Sequence, residues 1–264
     1  MRTLLLLALF LLSFKYTTAQ KESPPGTIQV TENFFFDKTE ISNINWTEYL
    51  YWTQNKYGEN SDKYLSIYPD SNVWGENNAY KKWYLNHPAY NHFPVVGVTH
   101  EQAIAFCSWR SDRVNEFFYI KNNKIKTYNY DSISSFIPEL YAYRLPTKKE
   151  WESMALKGYD TKTQKKLNNK FADLPKHNFR RNGGVNKDTI SKDITAPTIS
   201  YWPNKLGIYN LLGNVSEMVE KKGIAKGGGW NDFEEDISIE KDINYTNPTN
   251  WLGFRCVCEK HLDN

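Results

Sequence analysis

Arg144-Leu145-Pro146-Thr147-Lys148-Lys149-Glu150-Trp151-Glu152 is the most informative stretch of this chain. Thr147 followed three residues later by Glu150 is a capping box, in which each side chain satisfies an otherwise orphaned backbone N–H of the other. Trp151, Met154 and Ala155 then fall on one helical face, and Gly158 closes the segment. A buried-face helix of about three turns is therefore predicted from Thr147 to Gly158. Upstream, the same device recurs as Thr99 with Gln102, followed by Ala103, Phe106, Cys107, Arg110 and Val114 at helical spacing. Cys107 should face inward on that second helix.

Pro94-Val95-Val96-Gly97-Val98 reads as a strand feeding this helix, and Phe34-Phe35-Phe36 as a short buried strand ending at Asp37. Glu40 to Tyr51 is predicted helical, with Ser42 as an early cap. Residues 54–90, 117–143 and 159–200 show no sustained period and are expected to be irregular. Three short segments finish the chain: Gly207 to Glu220, Ala225 to Trp230, and Trp251 to Glu259. In the last, Phe254, Cys256 and Cys258 alternate with Arg255 and Val257, so both cysteines should share one strand face.

The 264 residues include 9 Trp, 18 Tyr and 14 Phe, yet mean hydropathy is −0.68. Aromatics set among polar loops imply a loop-rich structure with little regular helix. Residues 1–19 read as a cleavable export signal: Arg2, an apolar run from Leu4 to Phe14, and small residues ending at Ala19. The run is too short to span a bilayer, for which about 20 residues are needed. Residues 20–29 then form a leader and 30–264 one domain. Cleavage removes Arg2 and Lys15 and no acid, so the formal charge of +3 falls to +1. A near-neutral, mixed-sign surface excludes an electrostatic nucleic-acid binder. An exported protein, periplasmic or secreted, is expected; the first cysteine is Cys107, far from the signal, so no lipid anchor is expected.

Several segments together carry a resemblance. Phe36-Asp37-Lys38-Thr39-Glu40-Ile41-Ser42-Asn43, Pro94 to Val98 with Ala103 to Trp109, Arg144 to Glu152, Gly207 to Val215 with Glu217, Lys226-Gly227-Gly228-Gly229-Trp230 and Gly253-Phe254-Arg255-Cys256 occur in order. The chain resembles the formylglycine-generating, or sulfatase-modifying factor, family. The resemblance implies a compact α+β fold related to C-type lectins. It also implies a structural disulfide between Cys107 and Cys256, with Cys258 a free thiol, although Cys258 could stand in for Cys256. Such a bridge would contribute at most roughly 5 kcal/mol in the chain-entropy picture. Asn210, Gly213, Val215 and Glu217 match positions that hold a structural calcium ion in the family, an all-oxygen donor set; the bland alternative is a hydrogen-bonded turn. A second calcium site would draw on Asn178, Asp188 and Asp193.

Family members that oxidise a cysteine use two reactive cysteines between the segments matching Trp230 and Gly253, binding copper(I) through soft thiolates. Residues 231–252 contain neither cysteine nor histidine. No catalytic residue is therefore assigned and copper is not expected. The five histidines lack metal spacing, Gly227 to Gly229 lack a following Lys-Ser/Thr helix start, and no nucleophile elbow is present. Cys107-Ser108-Trp109-Arg110-Ser111-Asp112-Arg113-Val114-Asn115-Glu116, with the long insertion before Arg144, is similar to the branch found in gliding-motility and type IX secretion lipoproteins. Arg110, Asp112 and Arg113 alone read as a solvated helix face. The function expected is a non-catalytic envelope module that binds a protein or a glycan; the alternative is a formylglycine-generating oxidase acting on sulfatases.

Overall fold

A computed structural model describes residues 23–127, 137–159, 176–180 and 194–261. The segment read as an export signal, Gly183-Gly184, Asp188 and Asp193 lie outside the described residues. In chain order the elements are β1 (Thr27–Gln29), β2 (Phe34–Asp37), α1 (Asn43–Tyr57), α2 (Asp62–Leu65), α3 (Asn78–Trp83), α4 (His100–Asn122), β3 (Tyr141–Arg144), α5 (Lys148–Gly158), β4 (Ser216–Met218), β5 (Ile224–Lys226), β6 (Ile243–Asn244), β7 (Leu252–Gly253) and β8 (Val257–Lys260).

Two four-stranded sheets carry the fold. The first has the order β1-β2-β8-β3 and the second β6-β5-β4-β7. Pairing in the first is antiparallel throughout, with Phe35 and Tyr143 both opposite Cys258. The second contains one parallel pair, β4 with β7. Helices and short strands are mixed in one α+β architecture.

All three predicted caps are present. Ser42 with Asn45, Thr99 with Gln102 and Thr147 with Glu150 each form the reciprocal pair at the start of α1, α4 and α5. α1 begins three residues later than the pattern suggested, because Glu40 and Ile41 are still extended: Ile41 N–H donates to Phe254 O. Residues 94–98 do not form a strand. Val95, Val96 and Val98 are buried, but Pro94 has no N–H for a ladder and Gly97 takes φ +75°. The segment pairs by a single bridge, Ser42 with Pro94. The region called irregular between 54 and 90 holds α2 and α3, both too short for a period to register. α4 runs on to Asn122, into the supposed insertion.

α4 is fastened to the edge of the first sheet by its own side chains. Asn115 Oδ1 accepts from Tyr141 N–H at 2.8 Å and its Nδ2 donates to Tyr141 O at 2.9 Å. Ser111 Oγ accepts from Tyr143 N–H at 2.7 Å. Between α1, α4 and the last strands lies an aromatic core in which Trp46 stacks on Phe106 and meets Phe254 edge-on. A second core, around Phe36, Trp151, Ile208, Leu211 and Val257, lies under α5. Among the described residues no helix is long and apolar enough to cross a membrane.

Candidate functional site

The space between the two cores is charged, and that is where the motif residues converge. Glu40, Glu217 and Arg255 are each buried to 1 % exposure or less. Arg255 reaches Glu217 as a fork, Nη2 to Oε1 at 2.5 Å and Nε to Oε2 at 2.6 Å. Trp151 Nε1–H donates to the same carboxylate at 2.7 Å. The remaining guanidinium donors go to the carbonyls of Asp37 and Tyr209. Arg255, between β7 and β8, thereby joins β2, the loop before β4 and β4 itself, where Trp151 of α5 shares the Glu217 carboxylate.

Glu40 is the second carboxyl of the cluster and has no guanidinium of its own. Its Oε1 accepts from Asn214 Nδ2 at 2.8 Å, and its Oε2 lies 3.4 Å from Asn210 Nδ2. Burial pushes Glu40 up to about 8; Arg255 opposes the shift and the neighbouring Glu217 adds to it. Burial also raises Glu217, against the pull of Arg255. With two acids to one guanidinium, the forked Glu217 keeps the charge and Glu40 keeps a proton at neutral pH.

A second ion pair sits above the cluster. Arg110 grips Asp37 with Nη1 at 2.7 Å and Nη2 at 2.9 Å, and Asp37 also accepts from Cys256 N–H. Arg110 lies over the Tyr143 ring. Arg113 pairs with Glu116 at 2.6 Å. The solvated-face reading of Arg110 and Arg113 is corrected: both are partly buried and each is committed to a mostly buried acid.

The sulfurs of Cys107 and Cys256 are 3.4 Å apart, and both residues are buried as free thiols. Cys258 is equally buried on the same face, and burial pushes its thiol up to about 12. Burial of this kind holds the thiol in its protonated form and disfavours the thiolate.

Residues 231–252 are held by ion pairs and backbone contacts. Lys226, whose side chain is fully buried, bridges Glu152 at 2.7 Å and Asp242 at 3.1 Å, and Lys148 reaches Asp242 at 2.8 Å. Asp232 accepts from Gly229 N–H, and Trp230 Nε1–H donates to Asn250 O. Among the described residues no group of three His, Cys, Asp or Glu is placed to hold a metal ion.

A family model, the sulfatase-modifying factor enzyme 1-like domain, matches residues 13–260. The chain belongs to this family. Three solved structures are similar. Treponema denticola variable protein 1 is 20 % identical with a TM-score of 0.47, covering 86 % of this chain and 84 % of its own. CarF is 17 % identical with a TM-score of 0.49, covering 87 % of each chain. PvdO from Pseudomonas aeruginosa is 17 % identical with a TM-score of 0.42, covering 64 % of this chain and 63 % of its own. No curated protein matches.

Within the sulfatase-modifying factor framework, the residues expected to hold calcium lie around the Glu217 carboxylate. Of the four residues expected to hold the ion, Glu217 supplies the charge, and both its oxygens are taken by Arg255 and Trp151. A guanidinium at 2.5 Å is the counter-ion, and a divalent cation at the same carboxylate would face it directly. Asn210 turns its amide N–H toward Glu40 and Thr198 O. Gly213, at φ +78°, packs so closely on the Asn178 backbone that a Cβ would collide at 2.9 Å, and Val215 is fully buried. Asn178 donates to Ile194 O and to Asn214. These residues make a hydrogen-bonded turn beneath an ion pair, and no step is derived through calcium.

Sequence reasoning quoted Glu40 and Arg255 inside motifs without assigning them work. The available signal was Arg255 itself, a cation at the centre of the apolar run from Phe254 to Val257.

Proposed function

We propose that this chain is a non-catalytic binding module of the sulfatase-modifying factor fold, exported to the cell envelope, where it engages a protein or glycan partner in the setting of gliding motility or type IX secretion. The observation that carries the reading is the interval 231–252, which has no thiolate or imidazole to capture copper and is tied down by Lys226, Asp242 and Lys148 instead. The α4 segment from Cys107 to Glu116 supports the placement among envelope modules. Exposed Tyr51, Leu65, Tyr68 and Ile104 offer apolar contact area.

The second reading is the family oxidase, with Cys258 recruited as the reactive thiol. Its burial and raised pKa weigh against that role. Copper(I) titration and turnover of a cysteine-containing sulfatase peptide decide the matter: neither binding nor turnover is expected. Turnover that disappears in Cys258→Ser would overturn the binding-module reading. A glycan array then separates a sugar partner from a protein one.

The exported setting is also the setting for a Cys107–Cys256 disulfide, which the sulfur positions favour over a link to Cys258. Peptide mapping of unreduced protein should recover Cys107 joined to Cys256 and Cys258 alkylated. Three alkylated thiols, or a Cys107–Cys258 link, would refute it.

A further inference from the structure

A cavity of about 320 Å³ opens between α1, α4 and the segment Pro25–Glu40. It is remote in sequence from the interval 231–252, where the family's chemistry resides. Phe106, Val114 and Ile41 give it apolar walls, and Phe117, half exposed, stands at its lining. Arg110 donates to Pro25 O at 3.0 Å and so draws the chain across one side.

Two donors in the lining have nothing to donate to. Trp109 is only 8 % exposed, yet its indole N–H has no acceptor. Arg113 Nε, one helical turn further along the same face of α4, is likewise buried without a partner. A buried donor left unpaired costs on the order of 1–3 kcal/mol, so a ligand oxygen is the natural complement.

The charges rule out a bare anion as the source of that oxygen. Both guanidiniums are already committed, Arg110 to Asp37 and Arg113 to Glu116. Glu48 lines the same cavity and forms no ion pair among the described residues, while the neighbouring Glu40 keeps its proton and adds no charge. The excess is negative, and the aromatic walls offer π-faces that attract a cation. We propose that this cavity binds an α-amino group together with its adjacent carbonyl, as presented by the amino-terminal residue of a peptide or by a free amino acid. The ammonium faces Glu48 on the acidic side, the carbonyl accepts from Trp109 Nε1 and Arg113 Nε, and an apolar side chain lies against Phe106, Val114 and Phe117. This deepens the binding-module reading and rests on it for the identification of the partner as peptide-like.

The probes are Leu-Gly-Gly, its N-acetylated form and free leucine, titrated calorimetrically against the full chain. Saturable binding of Leu-Gly-Gly is expected, with loss of binding on acetylation. Free leucine binding equally well assigns the site to amino acids, and weaker binding assigns it to peptide amino termini. Glu48→Gln, at an exposed position, should weaken binding about ten-fold. Trp109→Phe keeps an aromatic ring and removes only the unpartnered N–H donor, and should weaken binding several-fold. Absence of saturable binding, equal binding of the acetylated peptide, or an unchanged affinity in Glu48→Gln each overturns the proposal. None of these results bears on copper capture or oxidase turnover, so the two readings fail separately.

Discussion

Arg255→Met is expected to lower the stability of this protein by about 3–5 kcal/mol, the range for stripping one partner from a buried ion pair. The variant keeps most of the side-chain volume, so the loss comes from charge and hydrogen bonds. Glu217 would be left at 0 % exposure with Trp151 as its one remaining donor and Glu40 nearby. For a chain of this size the drop corresponds to roughly 10 °C in melting temperature. The deficit should shrink on acidification, because the stranded carboxyl can take up a proton. The double variant Glu217→Gln/Arg255→Met should recover a large part of the loss, since it removes both charges together. A melting temperature within a degree or two of the parent would show that Arg255 is not the buried counter-ion described above.

Glu40→Gln should change the shape of the stability–pH profile. In the folded protein Glu40 holds its proton up to about 8, while the unfolded chain releases it near the ordinary value of 4.5. Between those values the folded state binds more protons, so this group makes stability fall as pH rises. The slope approaches about 1.4 kcal/mol per pH unit mid-window. Above about 8 both states are ionised and the contribution is flat, at its least favourable. The amide of the variant does not titrate. It does place a third N–H₂ beside those of Asn210 and Asn214, so the absolute stability can move either way. The diagnostic is the difference: variant minus parent should climb steadily from pH 5 to pH 8 and then level off. Denaturant unfolding at four pH values measures it, and parallel profiles would sink the buried-acid assignment.

What the sequence disclosed and what it withheld divide by range of interaction. The caps at Ser42, Thr99 and Thr147 are local, three residues from their partners, and all were legible. Phe34 to Phe36 was legible because three aromatics leave few other options. The strands of the second sheet, two or three residues each, owe their existence to pairings that no short window contains. Residues 94–98 had the composition of a strand and found only a single bridge, to Ser42. The site behaved likewise. Glu217 was singled out as a special carboxylate, but its ion pair with Arg255 was not legible, because that partner lies 38 residues further on. Arg110 looked like surface because Asp37, 73 residues earlier, is what buries it.

The order β1-β2-β8-β3 sets a schedule for making the molecule. Of the four strands of the first sheet, an inner one is made after the other three: Asp37 must wait for Cys256, 219 residues later, before its carboxylate meets that backbone N–H. Until then β2 and β3 have no shared neighbour, Glu217 has no guanidinium, and Cys107 has no sulfur beside it. A nascent chain that stops short of Phe254 therefore stays open, with the aromatic core incomplete. Closure is deferred until β8 has been made.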